Sequence, residues 1–146
     1  MSPSKTGLYP LLVSLVLMAS WPLSVLAAGY ECSIKSVLRL NETGTIVTHG
    51  WSANYLNRTF TVDRETGKVT ATTALKARLS NYDRESVPRI LDDGKQTDAF
   101  KAVTLFENDG QFAVLQIEEL SAGGSRPFFY QTYIGMILTG TCAETP

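Results

Sequence analysis

Residues 62–69 read VDRETGKV. Asp63 stands where its carboxylate can bond turn amides, and Gly67 stands where the chain needs a left-handed residue. Val62 and Val69 resume a paired strand on either side. This is a β-hairpin, and the same punctuation recurs through the chain in LNETGT (40–45), DDGKQ (92–96), ENDGQ (107–111) and SAGGS (121–125). Turn signals at such short intervals mark an all-β domain.

Between the turns the apolar residues alternate. In YECSIKSVLRL (30–40), Tyr30, Cys32, Ile34, Leu38 and Leu40 share one face, while Glu31, Lys35 and Arg39 take the other. Phe60 and Val62 alternate with Thr59 and Thr61. The runs AFKAVTLFE (99–107) and QFAVLQIEEL (111–120) are apolar on both faces, which points to more central strands. The last run, RPFFYQTYIGMILTGTC (126–142), places Phe128, Tyr130, Ile134, Met136, Leu138 and Cys142 on one side. Gly135 and Gly140 within it mark bulges or bends. HGWSANYLN (49–57) lacks alternation and reads as a helical turn or loop. Residues 73–94 read as a short helical stretch over Ala74 to Leu79, then an irregular polar connection in which Pro88 bars a central strand.

The N-terminus has the layout of an export signal. Lys5 precedes an apolar stretch from Leu11 to Ala19, Pro22 and Ser24 break it, and Val25 and Ala27 put small residues where a signal peptidase reads. Cleavage is expected after Ala27, with Ala28 as the second choice. The segment 1–27 is then a signal peptide, and 28–146 is a single β domain of periplasmic or secreted location. Ser14, Ser20, Pro22 and Ser24 interrupt the run, which falls short of the roughly 20 apolar residues of a membrane span. Gly29, Tyr30 and Glu31 separate Cys32 from the alanine pair, which argues against a lipid anchor.

The chain has two cysteines, Cys32 and Cys142. In an oxidising compartment they have one possible pairing. With one histidine in the chain they cannot complete a four-ligand zinc site. Both lie on apolar strand faces near the ends of the domain. The first and last strands are therefore expected to be neighbours fastened by a disulfide. The expected fold is a small antiparallel barrel or sandwich of about six to eight strands, closed by that bridge.

The formal net charge is −1, with no basic stripe and no aromatic-basic interleaving, so nucleic acid is not an expected partner. Catalytic constellations are missing. There is no G-x-S-x-G elbow, His49 reads as a turn residue, and Thr66–Gly67–Lys68 is hairpin rather than phosphate loop. Of the carboxylates, Asp63, Glu65, Asp83, Glu85, Glu118 and Glu119 read as turn or solvated-face residues, and Asp92, Asp93 and Asp98 do not match a calcium loop. No cofactor and no enzymatic activity are expected. Asn41 and Asn57 head N-x-T sequons, of consequence only in a host that glycosylates exported proteins. Binding candidates are the aromatics Trp51, Tyr55, Tyr82 and Tyr130. The consecutive Phe128, Phe129 and Tyr130 must point to both sheet faces.

The Tyr30-Glu31-Cys32 start, the hairpin F-x-V-D-R-x-T-G at 60–67 and the Gly140-Thr141-Cys142 close together resemble a group of small, secreted, uncharacterised bacterial proteins. The resemblance covers Tyr30 to Cys142. It implies an exported domain and carries no activity and no functional residues. More distantly, the cysteine-closed β architecture is similar to that of periplasmic lysozyme inhibitors, without their characteristic Ser-Gly-x-x-Tyr loop. The expected function is an exported, non-enzymatic binding module for a protein or cell-envelope component. The alternatives are a carrier of a small apolar ligand and a periplasmic inhibitor of a cell-wall enzyme.

Overall fold

The computed structural model describes residues 29–72, 75, 86–106, 110–120 and 124–146. The expected signal peptide, Tyr82, Asp83, Glu85 and most of the expected helical stretch lie outside them. The strands are β1 Gly29–Leu40, β2 Ile46–Thr48, β3 Thr59–Asp63, β4 Val69–Ala71, β5 Ser86–Asp93, β6 Ala99–Phe106, β7 Gln111–Glu118, β8 Arg126–Gln131 and β9 Ile137–Thr145. A single 3-10 turn, Ser52–Asn54, follows β2. Every pairing is antiparallel, in the order β4-β3-β1-β9-β8-β7-β6-β5, with β2 added to the far end of β1. The fold is thus all-β, one sheet curled into a half-barrel around a single core.

The first and last strands are neighbours, and Cys32 sits directly opposite Cys142 in their ladder, where the two form a disulfide. The core lies on the concave face. Tyr30, Ile34, Phe60, Phe100, Leu115, Ile117, Phe128, Tyr130 and Leu138 are buried there. Phe60 is central to it, meeting Phe128 edge-on at 5.2 Å and Tyr130 at 5.9 Å between ring centroids.

The alternation of β1 changes phase partway along. The β1–β9 register shifts between Ile34 and Ser36, so one extra residue is accommodated in β1. Beyond it Val37 turns inward, Leu38 is half-buried and Leu40 is 59% exposed. Strict alternation had put Leu38 and Leu40 on the core face; a one-residue insertion reverses every later side chain. Gly140, opposite Ile34, makes the bulge possible. A Cβ there would collide with the Ser33 carbonyl oxygen and the Phe128 ring.

Two other expectations change. The C-terminal run is two strands and not one. Thr132 and Met136 close the β8–β9 turn, where the Thr132 N–H donates to the Met136 carbonyl at 2.8 Å. Ile134 rides that turn in solvent instead of sharing the core face, because the chain reverses there. Second, residues 86–93 form a strand, not part of an irregular connection. Pro88 fits because β5 is the terminal strand of the sheet and pairs on one side with β6.

The 62–69 hairpin forms with Val62 opposite Val69. The Asp63 Oδ1 accepts the amides of Glu65 at 3.0 Å and Thr66 at 2.8 Å, and Gly67 has φ +75°. Gly67 also packs inward. A Cβ on it would lie 3.2 Å from the Ala102 Cβ and 3.4 Å from the Ile90 Cγ1. The turn thereby rests on β5 and β6, the far end of the same sheet.

Replacing both cysteines by serine is expected to lower unfolding free energy by roughly 2–4 kcal/mol, since the bridge spans 110 residues of chain. Urea denaturation checks this, and an unchanged midpoint would count against it. The Thr66 amide, then the Thr66 side chain, hold the Asp63 carboxyl below its ordinary value of 3.8. A depressed folded value means the cap stabilises the hairpin at neutral pH and is lost as pH falls from about 4 through the lowered value. Carbon-13 titration of Asp63 should give a midpoint under 3.8; a midpoint at or above it would remove the cap from the account.

Candidate binding surface

The four aromatic candidates do not converge. Tyr55 and Tyr130 are buried in the core, and Tyr82 lies outside the described residues. Trp51 is 55% exposed on the turn after β2. Its backbone N–H donates to the His49 Nδ1 at 3.0 Å, and the two rings stand 5.3 Å apart. The histidine therefore shapes the turn that displays the indole. The sequon residue Asn41 has a similar local task, its Oδ1 accepting the Thr43 and Thr45 amides at 3.1 and 2.8 Å.

A broader surface emerges on the convex face of β5, β6 and β7. Register aligns Val87, Leu105 and Phe112 in one row across the three strands. All three are exposed, Phe112 at 48%. The adjacent row pairs Val103 with Val114, both half-buried, with Arg89 at one end. On the next strand Phe129 also faces outward, while Phe128 and Tyr130 fill the core. The sequence signal was present in the two-faced apolar character of β6 and β7. It pointed to burial on both sides, yet among the described residues the strands form one curled sheet, with no second sheet against its back.

The convex face of β3, β1 and β9 has a different chemistry. Thr59, Ser33 and Thr141 lie in one cross-strand row, with Glu31 and Ala143 paired in the next. With Gly124 and Ser125 they line a shallow groove of about 400 Å³. The outer surface is thus divided between an apolar half and a hydroxyl-rich half.

At one end of the half-barrel, four charged side chains close into a ring. Arg64, in the β3–β4 turn, reaches Glu144 at 3.0 Å and Glu119 at 2.9 Å. Arg126, at the start of β8, reaches the other oxygens of the same carboxylates at 2.9 and 3.0 Å. Glu119, placed just after β7, is 9% exposed in its side chain, against 44% for Glu144 on β9. The Tyr30 hydroxyl donates to Glu119, and the Arg64 guanidinium stands 5.4 Å over the Tyr30 ring. Burial, then the bond to Glu119, pushes the Tyr30 phenol well above its ordinary range. Sequence reading put Glu119 on a solvated face. The structure buries it against two guanidiniums, Arg126 at the start of the next strand and Arg64 from the distant β3–β4 turn, which strand periodicity does not report.

Three further carboxylates are engaged locally. Glu118 accepts from the Gln116 amide at 2.6 Å, Asp92 accepts from Thr97 at 2.6 Å, and Asp93 pairs with Lys95 at 3.1 Å. Among the described residues no group of three or more His, Cys, Asp or Glu side chains is placed to hold a metal ion. No described helix is long and apolar enough to cross a membrane.

Glu119→Gln should destabilise the fold by roughly 3–5 kcal/mol, because two partly buried guanidiniums lose a shared counter-charge. Glu144→Gln, at a more exposed position, should cost at most about 1 kcal/mol. Equal shifts in the denaturation midpoint would contradict this ranking.

Comparison of the chain with protein-family models, with curated proteins and with solved structures found no match.

Proposed function

We infer that this chain is an exported, non-enzymatic binding module that contacts a protein or cell-envelope component through the convex face of β5–β7. The observation that carries the reading is the exposed Val87–Leu105–Phe112 row, backed by Val103 and Val114. Contiguous apolar area on the outside of a sheet favours association. Export rests on the layout of residues 1–27 and accords with the Cys32–Cys142 bridge, which persists in an oxidising compartment such as the periplasm or the extracellular space.

A carrier of an apolar ligand in the barrel is less well supported. The concave face is filled by rings that touch one another, including Tyr30 with Phe100 at 5.5 Å and Phe106 with Tyr133 at 5.2 Å. A ligand would have to displace them. An enzymatic reading would need an acid or base at liberty to act, and the ring carboxylates Glu119 and Glu144 are both held by arginines.

The test is retention of a partner from an envelope extract of the native host by immobilised protein. Phe112→Ser and Leu105→Ser should each reduce retention at least tenfold, about the effect of losing a contact worth 1.4 kcal/mol. Trp51→Ala should leave it largely intact. Equal retention by all variants, or added small-molecule mass in a gentle native mass spectrum, would overturn the reading.

A further inference from the structure

The sheet has two ends that do not pair. Each strand from β4 to β5 along the order is joined to its neighbour by a ladder, and β1 and β9 are also bridged covalently. Among the described residues no ladder joins β4 to β5. Curling nevertheless brings the β3–β4 turn onto β5 and β6, where Gly67 approaches Ile90 and Ala102.

Across that seam the polar ties run through Arg64. One guanidinium nitrogen donates to the Asp93 carbonyl at the end of β5 at 3.0 Å and to Glu119 at 2.9 Å. The other reaches Glu144. The remaining ring members stand on the far side of the turn, on or beside β7, β8 and β9. The strand that must be held, β4, has three residues and pairs with β3 alone.

We propose that the Arg64–Glu144–Arg126–Glu119 ring is a latch, and that β4 and the β3–β4 turn fray away from β5 when it is released, while β3 stays paired with β1 and the disulfide-bound part of the sheet stays folded. The contrast in fastening drives this. A covalent bond and a continuous ladder hold β1 to β9. At the seam, among the described residues, Arg64 joins that ring to the Asp93 carbonyl, Gly67 packs on Ile90 and Ala102, and Leu75 beyond β4 is buried in the core. Local opening follows the weakest cooperative boundary, and it takes place below the free energy of global unfolding. Opening would uncover the inward sides of Val69 and Ala71 on one edge and of Pro88 and Ile90 on the other.

Hydrogen exchange read by mass spectrometry tests the latch on the full oxidised chain. In Arg64→Met, amides of residues 64–71 should exchange on the order of 10–100-fold faster, with those of β1, β8 and β9 and of the β5–β6 ladder unchanged. Glu144→Gln should give the same pattern at smaller amplitude, and it serves where Arg64→Met fails to fold. Equal loss of protection in every strand would mean that the ring supports global stability alone and would overturn the proposal. Unchanged exchange at the seam would overturn it as well.

Discussion

The pairing of β1 with β9, locked at Cys32 and Cys142, is the constraint on which the rest of the molecule depends. It makes chain ends separated by 110 residues into adjacent central strands. Everything else is then hung to either side: β3 and β4 beyond β1, and β8, β7, β6 and β5 in a meander beyond β9. In the chain-entropy picture such a cross-link acts chiefly on the unfolded ensemble. It suits a domain of this size, whose single sheet buries one face.

The two ends of that sheet are treated differently from its middle. β4 is cut to three residues and β5 carries a proline, both means of blunting a free edge. Among the described residues the gap between those ends is crossed by the Arg64 side chain, which donates to the Asp93 carbonyl, and by Gly67 packed on Ile90 and Ala102. An ionic ring is suited to that task in one respect, because each planar guanidinium bridges two different carboxylates and so specifies one approach of the turn. It is poorly suited to permanence, since the desolvation of four charges offsets much of their attraction.

The division of the convex face follows from the same architecture. Among the described residues no second sheet covers the outer side of the half-barrel. Over β3, β1 and β9 that side is hydroxyl-rich, as is usual for a solvated sheet. Over β5, β6 and β7 it is not, and Val87, Leu105 and Phe112 remain outside. Their exposure is unexplained by folding, which is why the binding reading rests there and not on the aromatics singled out along the chain.

Local chemistry was legible in the sequence. The hairpin at 62–69, the all-β class, the adjacency of the terminal strands and the exclusion of Pro88 from a central strand all follow from short-range rules of turn geometry, alternation and thiol pairing. What the tertiary structure alone decided are the features that depend on register and curvature. The bulge at Ile34 to Ser36 exchanged Val37 for Leu38 in the core, because one inserted residue inverts a period of two. Tyr55 went inward while Trp51 stayed out, a choice that a segment without alternation does not announce. Arg126 faces Glu119 across the β7–β8 connection, but Arg64 joins them because curling gathers strand ends at one rim, and such proximity between distant residues leaves no periodic trace in a single chain.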